Sequence, residues 1–211
     1  MVITEDTNVV IVLPQPEREG HVPLENVLGS RRSVREFEGH ALSLGELGQV
    51  LWAAQGICFP SGLRTAPSAG ALYPLELYAI VAGSGELAAG IYRYLPNEHS
   101  LELWAEGDFR AEFAAAANMQ EWIARGSLIL VVAAAHGRTA AKYGERSQRY
   151  VAIEAGHAVQ NIWLQAVALG LGATEVGAFR DDTVARLVRL PADQETVITV
   201  VIGRPLSPGQ S

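Results

Sequence analysis

Residues 147–169 constrain the fold more than any other segment, because they have the length of a helix and apolar side chains on almost every face. The apolar positions are Val151, Ile153, Val159, Ile162, Trp163 and Val167. A helix that is apolar all round must be buried, so we expect it to pack inside the protein and also between two subunits. It does not read as a membrane span, because polar side chains interrupt it at Glu154, His157, Gln160 and Asn161.

Leu128–Ala133 is wholly apolar, as is typical of a strand buried on both faces, and Val197–Ile202 is predicted as a last buried strand. A third strand is predicted at Glu76–Ala82, followed by a hairpin that pairs Gly90–Leu95 with Leu101–Trp104. Helices are predicted at Ser43–Gln55, Asp108–Gly126 and from Asp181 onward, in addition to the long helix. Helices alternate with strands and a hairpin intervenes, so we expect an α+β fold with a mixed β-sheet flanked by helices.

Composition limits the remaining possibilities. We expect residues 1–20 to form an N-terminal arm and residues 21–211 to form a single domain. The only cysteine, Cys58, excludes an internal disulfide and provides no metal-ligand spacing. The first segment lacks the basic residues of a signal peptide. Together with the single cysteine, this favours a cytoplasmic protein. The net charge of −7 argues against nucleic acid as a partner.

An irregular segment occupies residues 57–74 and is stiffened by Pro60, Pro67 and Pro74. Irregular segments of this length inside a compact domain are usually functional. The small residues Ser68, Ala69, Gly70 and Ala71 would let the backbone approach a flat ligand closely. The alternative is a packed loop that crosses a sheet edge.

A basic cluster contains Arg31, Arg32, Ser33 and Arg35. Guanidinium groups and a hydroxyl at such short spacing suit a phosphate dianion, because each guanidinium can pair with two of its oxygens. Arg204, just after the last buried strand, could add a fourth charge. The alternative is a solvated basic turn.

Two patterns do not indicate a site. Residues 83–88 match the G-x-G-x-x-A nucleotide-binding pattern, but a strand begins almost at once where that motif needs a helix, so we interpret them as a loop. Glu154 and His157 have the spacing of half a di-iron site, but no second half is present, so a structural role is favoured.

Five motifs in order resemble the FMN-dependent nitroreductase superfamily. They are RRSVR at 31–35, PSAGALYP at 67–74, EAGHAVQN at 154–161 with GLGA at 170–173, VGAF at 176–179 and GRP at 203–205. The match covers about residues 24–205 and is most similar to the SagB-type, or azoline dehydrogenase, branch. Ala71, where many nitroreductases have a ribityl-binding Asn, favours that branch. The resemblance implies an intertwined homodimer with FMN at the subunit interface.

The resemblance also implies roles for individual residues. Arg31, Arg32 and Ser33 would hold the FMN phosphate and ribityl chain, and Arg35 would lie near the flavin pyrimidine. Residues 67–71 (Pro67, Ser68, Ala69, Gly70 and Ala71) would line the isoalloxazine of the partner subunit's site. Val176 and Gly177 would offer backbone N–H groups near the flavin N5 and O4.

Lys142 and Tyr143 resemble the catalytic pair of the SagB-type branch. Azoline oxidation removes a carbon-bound proton as hydride leaves to N5; a neutral Lys can take that proton and a Tyr can relay it. The alternative is a solvated Lys beside a packing Tyr.

The leading hypothesis is therefore an FMN-dependent oxidoreductase that oxidises azoline-type heterocycles. The alternatives are an NAD(P)H-dependent nitro or quinone reductase, a flavin-binding protein without turnover, and a purely structural dimer.

Overall fold

The protein is described by a computed structural model that covers residues 9–206. Seven strands form one sheet: β1 Val10–Val12, β2 Leu75–Val81, β3 Gly90–Leu95, β4 Ser100–Glu106, β5 Leu128–Ala134, β6 Gly172–Val176 and β7 Glu195–Gly203. Their order across the sheet is β1-β4-β3-β2-β5-β7-β6. Every neighbouring pair of these strands is antiparallel. We predicted a mixed sheet, with both parallel and antiparallel pairing. In the described residues the parallel pairing is limited to one isolated bridge between Ser33 and Ala173.

The apolar segments form the centre of the sheet, as predicted. Every residue of β2 and β5 is buried, and so are the last five residues of β7. The hairpin is also confirmed, because β3 and β4 pair through Leu95 and Ser100 at its closed end. Residues 83–88, which match the nucleotide-binding pattern, form a loop between β2 and β3.

Six α-helices cover the two faces of the sheet: α1 Leu24–Ser30, α2 Leu44–Gln55, α3 Arg110–Ala116, α4 His136–Tyr143, α5 Ser147–Ala168 and α6 Asp181–Val188. The predicted capping box of α2 is present, since Glu46 N–H donates to Ser43 Oγ (3.2 Å) and Ser43 N–H donates to Glu46 Oε2 (2.9 Å). One face packs against α2 and α5, and the other against α3 and α6.

The prediction of one helix from Asp108 to Gly126 is wrong. The segment is divided into α3 and a separate 3-10 helix at Glu121–Arg125. Asn118 and Met119 between them have φ angles of 58° and 59°. Two successive residues in the left-handed region cannot continue a right-handed helix, so the chain turns there.

The long helix is present as α5, which packs against α2, α4 and the sheet. Only one side is covered within the protomer. Ala152, Ile153, Gly156, His157 and Gln160 are exposed, and Ile153 retains 50% of its accessible surface. Within residues 9–206, no helix is both long enough and apolar enough to cross a bilayer.

The described part of the N-terminal arm contacts the domain. β1 pairs with β4, and Glu17 N–H donates to Gln49 Oε1 at 2.9 Å. The first eight residues lie outside the described part of the chain, and the boundary at residue 20 stays a prediction.

Candidate active site

The loop at residues 57–74 is irregular and held by specific hydrogen bonds. Thr65 Oγ1 donates to Trp52 O (3.0 Å), Asn161 Nδ2 donates to Thr65 O (3.3 Å), and Tyr73 N–H donates to Ser68 Oγ (2.9 Å). Gly70, Ala71 and Tyr73 have φ angles of 66°, 54° and 47°. Positive φ at non-glycine residues stores strain of a kind that clusters at functional sites.

This loop meets the predicted catalytic pair. A Cβ atom added to Gly70 would lie 2.9 Å from both Lys142 Nζ and Tyr143 OH. The φ angle of 66° favours glycine at position 70, and the ends of the two side chains would have to shift to admit a Cβ atom there. The Lys142 side chain is exposed, whereas Tyr143 is half-buried and packs edge-on against Tyr150, with ring centroids 5.0 Å apart.

The basic cluster lies at the edge of the sheet, beside the start of β6. Val34 N–H donates to Ala173 O (3.1 Å), and this bond fixes the segment against the strand. The Arg31 guanidinium stacks on the Trp163 ring, 4.4 Å from its centroid, and Arg35 lies 6.0 Å from the Trp122 ring.

In the part of the chain that the structure describes, Arg31, Arg32 and Arg35 make no ion pairs. The three side chains are exposed, as is Ser33, so their donors are available to an anion. Arg204 differs, because its Nη2 pairs with Glu46 Oε1 at 2.6 Å. Its role as a fourth phosphate ligand stays a prediction.

Val176 and Gly177 lie at the other end of β6. Val176 is buried and accepts a hydrogen bond from Thr199 Oγ1 (2.9 Å), whereas Gly177 is exposed. Four residues separate Ala173, beside the basic cluster, from Gly177, which corresponds to roughly 13 Å along a strand. The basic cluster and the backbone at Val176 and Gly177 are thus far enough apart to contact the two ends of one elongated ligand.

Residues 67–69 also border α5. A cavity of about 230 Å³, here called the loop cavity, is lined by Pro67, Ser68, Ala69, Tyr150, Ile153, Glu154 and His157. Arg31 contacts the same helix at Trp163, nine residues beyond Glu154 and so roughly 13 Å further along its axis. Within one protomer, the loop and the basic cluster therefore lie against different turns of α5.

Glu154 is the site residue that the sequence reasoning missed. Its side chain is only 2% exposed, and its Oε1 has no hydrogen-bond partner among the described residues. Burial raises the pKa of Glu154 to about 7, although a hydrogen bond from Ser68 and the charge of Arg64 act in the opposite direction. The sequence signals were its place in the motif at 154–161 and its spacing to His157, which we interpreted as structural.

No group of three or more His, Cys, Asp or Glu side chains within residues 9–206 is placed to hold a metal ion. Glu154 and His157 thus remain without the further carboxylates that a di-iron site requires.

The fold and the arrangement of this site define an α+β oxidoreductase. A family model described as the nitroreductase family matches residues 28–204. The chain belongs to the nitroreductase family, whose members generally use a flavin and are commonly dimeric.

Two relatives are similar over nearly their whole length. A provisionally named nitroreductase of Methanocaldococcus jannaschii is 39% identical over 196 residues, covering 93% of this chain and 96% of that protein. The crystal structure of a provisionally named nitroreductase of Ralstonia eutropha is 34% identical, with a TM-score of 0.83, and the match covers 94% of this chain and 90% of that one.

A third relative matches in part. The microcin B17-processing protein McbC of Escherichia coli is 27% identical over 144 residues, which cover 66% of this chain and 52% of McbC. A chain of the E. coli McbBCD complex with truncated pro-MccB17 has the same fold, with a TM-score of 0.73 at 24% identity over 93% of this chain and 78% of that one.

Proposed function

We propose that the protein is an FMN-dependent oxidoreductase of the SagB-type branch, acting as a homodimer with FMN at the subunit interface. The observation that carries this proposal is the close approach of Lys142 Nζ and Tyr143 OH to the backbone at Gly70. It places an amine and a hydroxyl, the groups that acid–base chemistry beside a flat ligand requires, next to the loop expected to line the flavin.

The residues present fit FMN. Arg31 and Arg32 offer unpaired guanidinium groups for the phosphate, with the Ser33 hydroxyl beside them for the ribityl chain. Arg35 would stabilise negative charge at the pyrimidine edge. Val176 and Gly177, at the far end of β6, would direct backbone N–H groups at the ring.

Residues 67–71 would cover the ring from the other subunit. Their position on a different turn of α5 from Arg31 supports a site assembled from two chains. The exposed stripe of α5 supports the same arrangement, because Ala152, Ile153 and Gly156 are small or apolar and would pack closely against a second copy. Covering them at about 25 cal/mol per Å² would favour the dimer.

When bound, FMN supplies a site that accepts or donates hydride. Oxidation of an azoline to an azole also releases a proton from a ring carbon. We assign the removal of that proton to Lys142 Nζ, and we assign the orientation of the substrate or the relay of the proton to the Tyr143 hydroxyl. Azoline oxidation is supported by Ala71, where many nitroreductases have an Asn, and by the partial similarity to McbC.

The second candidate is NAD(P)H-dependent reduction of nitro compounds or quinones. It is favoured by the higher identity to the nitroreductase relatives than to McbC. A flavin-binding protein without turnover is the third. The location in the cytoplasm stays a prediction.

An absorbance spectrum and an anaerobic reduction assay test the proposal. We expect yellow protein that releases FMN on denaturation and whose flavin is bleached by an azoline-containing peptide. Lys142→Ala and Tyr143→Phe should retain FMN and slow bleaching at least about a hundredfold.

Colourless protein that takes up no FMN in titration would refute the flavin assignment. Bleaching by NAD(P)H with turnover of a nitro acceptor, and none by the azoline, would support the second candidate. Bleaching by neither would support binding without turnover.

A further inference from the structure

We propose that the protein has a second anion-binding site, separate from the basic cluster, for a small dianion with carboxylate or phosphate oxygens. The site is a cavity of about 230 Å³, here called the arginine cavity, where β2 begins and β3 ends. The side chains that define it are Arg64, Arg93, Arg138, Glu76 and Gln55.

The carboxylate in the cavity is already shared. Glu76 Oε2 accepts from Arg93 Nη2 at 3.1 Å, and its Oε1 accepts from Arg138 Nη2 at 2.6 Å. Glu102 also lies 3.9 Å from Arg93, and Glu98 is exposed at the rim. Because Glu76 pairs with two arginines at once, it has little capacity left for the third.

Arg64 is that third arginine. Burial lowers its pKa, which shows that the surrounding protein penalises its charge. It donates from Nη1 to Gln55 Oε1 (2.8 Å) and lies over the Tyr73 ring at 4.6 Å, but within residues 9–206 it makes no ion pair with a carboxylate. Glu76 and Glu154 attract its charge without an ion-pair contact, and they offset only part of the cost of burying it, so a bound anion would lower that cost further.

Gln55 provides an independent indication. Its side chain is fully buried and lines the cavity, and its Nε2 has no acceptor among the described residues. A buried donor without an acceptor costs roughly 1–3 kcal/mol. The missing partner is an oxygen, which is also what the guanidinium groups require.

The size and position of the cavity limit the ligand. The volume lies below the roughly 300–1,000 Å³ of pockets that hold drug-sized molecules. Guanidinium forks match carboxylate and phosphate oxygens, so the expected class is a small dianion of the size of malonate or inorganic phosphate.

The cavity shares no residue with the cluster at Arg31–Arg35, and β2 is three strands away from β6, roughly 14 Å at about 4.8 Å per strand. Arg138 Nη1 also donates to Tyr73 O (2.9 Å), so an occupant would adjoin the candidate active-site loop from behind.

Calorimetric titration of FMN-saturated protein tests the proposal. Malonate and inorganic phosphate are titrated separately, in a buffer of low ionic strength without other oxyanions. We expect one of them to bind with one equivalent per protomer.

Two variants alter the cavity in different ways. Gln55→Glu replaces the free donor with a carboxylate that pairs with Arg64, and Arg138→Gln removes a guanidinium that is 42% exposed. Loss of one charged hydrogen-bond partner corresponds to a tenfold or greater weakening, so we expect at least that in each variant. If Gln55→Glu does not fold, Arg138→Gln decides the question.

Arg110→Gln is the matched control, because Arg110 pairs with Asp108 away from the cavity, and it should bind the probe as the wild type does. Arg31→Ala should also leave probe binding intact, whether or not the protein binds FMN. No binding of either probe up to about 10 mM would overturn the proposal. Loss of probe binding in Arg31→Ala, with probe binding retained in Arg138→Gln, would also overturn the proposal, because the probe would then occupy the basic cluster.

Discussion

Glu154→Gln should change how the stability of the protein depends on pH. Burial raises the pKa of Glu154 from the usual 4.5 to about 7. Below pH 4.5 the carboxyl is protonated in both folded and unfolded chains. Between pH 4.5 and 7 the unfolded chain releases this proton while the folded chain retains it, so the free energy of unfolding falls as pH rises. Well above pH 7 the free energy of unfolding no longer changes through this group.

The magnitude follows from the two pKa values. One pKa unit corresponds to about 1.4 kcal/mol, so the full loss is about 3 kcal/mol, most of which falls between pH 5 and 8. Glutamine keeps the shape of the protonated side chain and an oxygen for Ser68, but it does not titrate. The difference in stability between Glu154→Gln and the wild type should therefore move in favour of the variant by roughly 2–3 kcal/mol from pH 5 to pH 8.

Urea unfolding at several pH values measures this difference. Protein and FMN concentrations are held constant, because dimer formation and ligand binding both shift apparent stability. Glu112→Gln, at an exposed position on α3, is the matched control and should follow the wild type. A variant-minus-wild-type difference that stays constant within about 0.5 kcal/mol over this range would refute a buried, protonated Glu154.

Three further predictions follow from the site. Arg31→Ala should weaken FMN binding about ten- to a hundredfold in a fluorescence titration, while Arg110→Ala does not; equal affinities would show that the basic cluster is only a surface turn. Gly70→Ala places a Cβ at a φ of 66°, costing about 1–2 kcal/mol, so the melting temperature should fall by roughly 2–8 °C; an unchanged value would contradict the tight contact. Ile153→Glu should yield monomers in sedimentation at micromolar concentration, whereas Met119→Glu, at an even more exposed apolar position, should not; dimers in both would place the interface elsewhere.

The sequence was sufficient to predict secondary structure where the local residue pattern agrees with the burial that the fold imposes. Leu128–Ala133 is apolar at every position and Val197–Ile202 at all but Thr199, and the middle of a sheet covered on both sides accommodates such strands. The start of α2 was equally clear, since Ser43 and Glu46 satisfy each other's backbone donors without help from the rest of the chain.

The sequence was insufficient where distant residues decide the outcome. The apolar spacing from Phe109 to Ile123 predicted a continuous helix, but Asn118 and Met119 adopt left-handed backbone so that two short elements can pack separately beside α6 and β7. The sequence also did not show that folding brings Glu46 Oε1 to 2.6 Å from Arg204 Nη2, because the two residues are 158 positions apart; the phosphate role of Arg204 stays a prediction.

The sequence by itself indicated most of the elements, the basic cluster and the small residues of the loop, because each depends on neighbours along the chain. Tertiary structure alone decided that Gly70 lies beside Lys142 and Tyr143, that the half-buried Arg64 makes no ion pair within residues 9–206, and that burial raises the pKa of Glu154. The physical reason is that close approach and desolvation depend on which segments fold against one another, and these determine both the shape of the site and the charge of its groups.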